Sequence, residues 1–200
     1  MAFAPNLLFV FVLIWVGAVL FLRLKKHAGL VFLLFFTVFC VYLFKVLDYT
    51  LFQFQSLLLL RYFVPGLILQ GQAAGESVNL IPLIALGMED LKTSLLNILL
   101  MVPFGFGLPF VTDLRMKKVV LAGMVFSIAI ELVQLVTGFM AGISFRIADI
   151  NDVLFNTLGA AIGYVLFVGV VRAYRHVSHG RKSFANPVFR YVAERPQLDG

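Results

Sequence analysis

The chain has 200 residues, 62% of them hydrophobic and 13% charged, with a mean hydropathy of +1.01. A soluble domain of this length cannot hide that much apolar surface, so the composition excludes a water-soluble globule and points to an integral membrane protein. The formal net charge of +6 is accounted for by where the basic residues fall along a membrane chain, which removes the argument for nucleic-acid binding.

Runs of about 18 to 20 apolar residues suffice to cross the roughly 30 Å hydrocarbon layer as helices, and the sequence holds five. The first is predicted over 5–22. It has no basic region before it and no small-residue cleavage site after it, so it reads as a retained anchor and not as a signal peptide. The second, 28–47, contains the single cysteine, Cys40, which leaves no intrachain disulfide framework. A long connection, 48–92, follows. Its stretch "LLLLRYFVPGLIL" (57–69) is apolar but short, and Arg61 and Pro65-Gly66 interrupt it, which suits an interfacial or re-entrant piece better than a span. Gly71 and Gly75 would allow this connection to move as a lid.

The remaining runs are 93–111, 119–138 and 153–171, and no internal repeat relates any of the five. The expected fold is therefore all-α: a polytopic transmembrane bundle of five spans over residues 1–172, with a basic cytoplasmic tail over 173–200. That tail is expected to lie along anionic headgroups and then fray. His176 and His179 stand in it without a carboxylate or thiolate beside them, and His27 is on the same side of the membrane, so neither a metal nor another cofactor is expected.

Orientation follows from Lys and Arg. Arg23, Lys25, Lys26, Arg115, Lys117, Lys118 and the tail's Arg172, Arg175, Arg181, Lys182, Arg190 and Arg195 all fall on one side. Arg61, Lys92 and Arg146, with Lys45 near the end of the second run, fall on the other. This places the N-terminus outside and the C-terminus inside.

Polar residues inside the apolar runs are not scattered. In the fourth run Gly123, Ser127, Glu131, Gln134 and Gly138 recur at steps of three or four and share one helical stripe. Ser94, Asn97, Met101 and Gly105 do the same in the third, and Asp149, Asp152, Asn156, Ala160 and Gly163 in the fifth. Small residues around polar ones are the composition that lets transmembrane helices approach closely. With the orientation above, Asn97 stands roughly 6 Å and Glu131 roughly 10 Å below the outer ends of their helices, and the aspartates stand at the outer entrance of the fifth. An ionised carboxylate at that depth is costly unless paired or hydrated, and Arg146 is the expected partner of Glu131 or of an aspartate. Two readings stay open for the set. Asp149 and Asp152 would serve as N-terminal caps of the fifth helix, with Gln134 and Asn156 as interhelical links. Alternatively, the whole set lines a functional pocket open to the outer leaflet.

Four blocks carry a resemblance. "NLIPL" (79–83), "NILLMVPFGFGLP" (97–109), "SIAIELVQLVTG" (127–138) and "RIADINDVLFNTLGAAIGY" (146–164) resemble, in order, the pattern of VanZ-like membrane proteins, the family named for a teicoplanin-resistance accessory factor. The blocks cover about residues 77–167. The resemblance implies a signature of Asn79, Pro82, Asn97, Pro103, Glu131, Gln134, Arg146, Asp149, Asp152 and Asn156, nearly the residues that the stripes select. It also implies work at the outer face of the cytoplasmic membrane, in connection with glycopeptide-antibiotic tolerance or envelope polysaccharide. It supplies no defined chemistry.

Three functions are weighed on these residues. The first is an enzyme acting on a lipid-linked saccharide or wall precursor, with Glu131 and Asp149 or Asp152 as general acid and base. Arg146 would then hold a phosphate or carboxylate, and Asn79, Asn97, Gln134 and Asn156 would bind the substrate. The second is a binding module for such an envelope lipid, without chemistry. The third is a small transporter, disfavoured by the lack of a repeat and of matching polar residues in the inner leaflet. Membrane lipids and the lipid-linked envelope substrate are the expected partners.

Overall fold

The computed structural model describes residues 5–51, 78–79, 88–141, 148–178 and 186–195. The fold is all-helical. Helices α1 (Pro5–Leu24), α2 (Leu30–Leu51), α3 (Met88–Val111), α4 (Met116–Ala141) and α5 (Ile150–Ser178) match the five predicted runs; α2 begins two residues inside its run, and most of the helices extend theirs by a turn or so. Four of them, α2 to α5, are long and apolar enough to cross a membrane, and α1 carries a somewhat shorter apolar stretch, Leu8–Leu24. Large apolar side chains cover the outside of the bundle: Ile14 is 67% exposed, Leu99 65% and Val38 61%. Such a surface would be untenable in water and is the expected one against lipid.

Between helices in lipid, close packing and polar links replace the hydrophobic drive. The tightest seam joins α3 and α5. A Cβ on Gly105 would stand 1.9 Å from the Ala160 carbonyl oxygen, one on Gly163 2.1 Å from that of Val102, and one on Gly159 2.4 Å from that of Ile98. Only hydrogen fits at these positions, so the two backbones touch. Helix α4 joins the seam at Gly123, where an added Cβ would meet the Ala160 side chain at 2.6 Å. Ala160 is fully buried where the three helices converge.

Helix α2 packs by aromatic rings instead. Phe35 stacks on Phe110 at 4.6 Å and Phe39 tilts against Phe104 at 5.8 Å. The Tyr42 hydroxyl donates to the Leu100 carbonyl at 2.7 Å, in the part of α3 that Pro103 perturbs by lacking an N–H. Helix α1 leans on α2 through the Phe11–Phe44 stack at 4.4 Å and a hydrogen bond from Trp15 Nε1 to Thr37 Oγ1 at 3.2 Å.

Two features of the C-terminal region go beyond the predicted runs. Helix α5 runs on to Ser178, past the end of its apolar run at 171. Residues 186–195 do not fray but fold back as α6 (Pro187–Ala193), capped by Asn186 Oδ1, which accepts from Val188 N at 2.9 Å. The last carbonyls of α3 lack intrahelical donors, and the Tyr191 hydroxyl and Arg195 Nη1 both donate to the one at Phe110. A cation at a helix C-terminus also suits the dipole. Arg195 lies 4.0 Å over the Tyr191 ring, and Arg175 of α5 donates to the carbonyls of Ala193 and Arg195 at 2.8 and 2.7 Å.

Candidate functional site at the polar end of the bundle

Helices α3 and α5 start, and α2 and α4 finish, at one end of the bundle; α6 and the Arg115–Lys118 turn lie at the other. The polar stripes meet near the first end. A two-residue parallel bridge closes it, β1 (Val78–Asn79) on β2 (Ala148–Asp149), with Val78 opposite Ala148 and Asn79 opposite Asp149. The connections before α3 and before α5 are thereby held side by side.

Starting from the buried side, Asn156 of α5 donates through Nδ2 to Ser127 Oγ of α4 at 2.8 Å. Both residues are buried, and Asn156 Oδ1 has no hydrogen-bond donor among the described residues. This bond sets the register of two antiparallel helices. Glu131 lies four residues beyond Ser127 and Asp152 four residues before Asn156, so each is about 6 Å nearer the polar end. The two residues therefore stand at the same height along the α4–α5 interface, with Glu131 only 9% exposed. Asn97 of α3 donates through Nδ2 to Asp152 Oδ1 at 2.6 Å, a short bond between two helices. A further turn outward, Gln134 Nε2 donates to the Thr50 carbonyl at 3.0 Å and supplies a donor to the C-terminal end of α2.

Asp149 has a different use. Its Oδ1 accepts from Asn151 N at 2.8 Å, two residues on, which is the geometry of an N-cap on α5. Of the two aspartates that sequence left as alternatives, Asp149 caps a helix, and Asp152 reaches a side chain on another helix. Asn97, Glu131, Gln134, Asp152 and Asn156 are thus brought together at one end. Asn79 is joined to this end by its backbone register with Asp149. Arg146 and Pro82 lie outside the described residues, as do the 57–69 stretch and the glycines of the long connection. Pro103 sits within α3, nearer mid-bundle than the cluster.

Sequence reasoning passed over Thr50 and Asn151, both buried at this end, and Tyr49. Thr50 was hidden because its hydroxyl donates within its own helix, to the Val46 carbonyl at 2.7 Å, and only its backbone carbonyl is used by Gln134. Among the described residues no three His, Cys, Asp or Glu side chains gather as a metal site.

No curated protein and no solved structure matches the chain. The family model for VanZ/LLP1 matches residues 7–172, further toward the N-terminus than the four blocks and so taking in α1 and α2 as well as the polar cluster. With its apolar helices and this match over most of its length, the chain is a membrane protein of the VanZ/LLP1 family.

Proposed function

We propose that this protein crosses the cytoplasmic membrane five times with its polar end outward, and acts there on the head of a lipid-linked saccharide or other wall precursor. The orientation is supported by the charge count: twelve of the 16 Lys and Arg residues fall at the other end or in the tail. The observation that carries the functional reading is the common height of Glu131 and Asp152, fixed by the Ser127–Asn156 bond one turn deeper. Two carboxyl groups are what acid–base cleavage of a glycosidic or related bond needs. In that chemistry one protonated carboxyl gives its proton to the leaving oxygen, while the other draws a proton from the attacking water. Asp152, held by the Asn97 amide, suits the ionised role, which leaves Glu131 as the acid.

A second reading, a binding module without chemistry, draws on the fact that the amides of Gln134 and Asn156 each donate to another helix and that Asp149 caps its own. The two readings separate in one experiment. Wild type and Glu131→Gln are purified in detergent and incubated with envelope lipid extract, and bound and released species are followed by mass spectrometry. A product made by wild type alone establishes the enzyme and identifies the bond cut. The same lipid retained unchanged by both proteins establishes the binding module.

A further inference from the structure

One buried polar atom at the α4–α5 interface is left over. Asn156 is only 5% exposed, and half of its amide is used: Nδ2 donates to Ser127 Oγ at 2.8 Å, while Oδ1 receives no donor among the described residues. An amide oxygen buried without a donor forfeits its hydration, and most such atoms in folded proteins find a partner. The Ser127 bond also fixes which end of the amide is spare, since it holds the nitrogen toward α4.

Helical geometry says what lies beside that oxygen. Side chains lean toward the N-terminus of their helix, and residues four apart are neighbours with Cβ atoms about 5–6 Å apart. Asn156 therefore leans toward Asp152, one turn nearer the polar end on the same face of α5. An ionised carboxylate and an amide oxygen only accept, so the two cannot bond directly. One water spans such a gap, because it donates twice through O–H···O bonds of about 2.7–2.8 Å. A way in from the polar end exists past Asp152, which is only half-buried where Asn156 behind it is buried.

We propose that Asn156 Oδ1 positions the water that attacks the lipid-borne substrate. The proposal rests on the acid–base reading and adds to it the group that orients the nucleophile. The water donates one hydrogen to Asp152 and the other to Asn156 Oδ1, which turns its lone pairs to the reacting atom. As the water oxygen bonds to that atom, the first hydrogen passes to Asp152 as a proton. The bond to the leaving oxygen breaks, and that oxygen takes the proton of Glu131. The hydrogen held by Asn156 stays on the new hydroxyl. Ser127 acts through Asn156, by keeping the amide oxygen and not its nitrogen toward the water. A substrate hydroxyl is the other O–H donor that suits Oδ1, and kinetics separate the two. A hydroxyl held equally before and during reaction acts on KM, whereas a misplaced water acts on kcat.

The test incubates the full chain in detergent with envelope lipid extract, in heavy-oxygen water, and quantifies product by mass spectrometry over a range of extract concentrations. Wild type is expected to place one heavy oxygen in the product. Asn156→Leu, close in size but without an acceptor, is expected to lower kcat about 100-fold and leave KM unchanged. Ser127→Ala loses the same interhelical bond but keeps the amide oxygen, and is expected to cost less than about tenfold. Asn156→Ala, which brings in no bulk, replaces the leucine variant if that fails to fold and is expected to show the same split. The proposal is overturned if loss of the Asn156 amide raises KM with kcat unchanged, which marks a substrate hydroxyl on Oδ1, or if it changes neither. It is likewise overturned if Ser127→Ala costs as much, which reduces Asn156 to a link between helices. A wild-type product free of heavy oxygen refutes the water alone, whereas no product from wild type refutes the cleavage reading and this proposal with it.

Discussion

Replacing Gly159 with alanine tests whether the α3–α5 seam positions the site. The added Cβ would lie 2.4 Å from the Ile98 carbonyl oxygen and 3.0 Å from both Ile98 Cα and Met101 Cβ, whereas ordinary contact begins at 3.4 Å. The obstacles are mainly backbone, which cannot rotate aside. The helices must then part by roughly 1 Å at a point adjacent to Asn97, a gap that forfeits a quarter to a half of the local dispersion attraction. Overpacking of this kind costs about 1–3 kcal/mol. For a chain of this size that corresponds to a Tm lower by about 2–12 °C. The same displacement would stretch the Asn97–Asp152 bond from 2.6 Å to roughly 3.6 Å, beyond hydrogen-bonding distance. Thermal unfolding in detergent, followed by circular dichroism, measures the first effect, and lipid turnover or retention measures the second. Gly17→Ala and Gly169→Ala are the controls, since nothing lies within 4 Å of an added Cβ at either position. If Gly159→Ala unfolds at the temperature of these controls and keeps full function, the backbone-to-backbone seam is not what holds the cluster.

Other consequences follow from single contacts. Tyr191→Phe removes one of the two donors to the Phe110 carbonyl and should loosen α6 by about 1 kcal/mol, seen as faster hydrogen exchange in residues 186–195. Burial raises the Tyr191 phenol above its ordinary value of 10, and Asp113 adds to the rise while Arg195 opposes it. A raised value means that the protonated form favours the docked state. Docking is therefore complete below pH 10 and is lost as pH climbs through the raised value, a loss that Tyr191→Phe should abolish. Asp149→Ala should cost about 0.5–2 kcal/mol as a lost cap, while Asp149→Asn, which still caps, should restore stability and retain function; loss of function in the asparagine variant would contradict the capping role. Ser127→Ala takes the acceptor from Asn156 Nδ2 and should lower stability by about 0.6–1.7 kcal/mol in the same unfolding assay.

The helices, and the faces they turn inward, were legible in the sequence because both depend on short-range patterns. Hydropathy marks a run, and a repeat of three or four residues marks a stripe. Ser127, Glu131 and Gln134 were identifiable as one inward face before any partner was known, and the buried positions they occupy follow from that stripe. The VanZ/LLP1 membership was likewise carried by blocks of sequence.

Partner choice was not legible, because it joins residues far apart in the chain. The Ser127–Asn156 bond spans 29 residues and Asn97–Asp152 spans 55, and only these contacts set Glu131 level with Asp152 and distinguish Asp152 from the capping Asp149. Composition made the tail look like a solvated basic segment. Its docking depends on one α3 carbonyl 81 residues before Tyr191, left without an intrahelical donor by the end of that helix. The sequence by itself determined a membrane protein of apolar helices with polar inner faces, since each such property is local. Tertiary structure alone decided which polar groups face one another, because that is a matter of helix register, set where glycine lets two backbones touch.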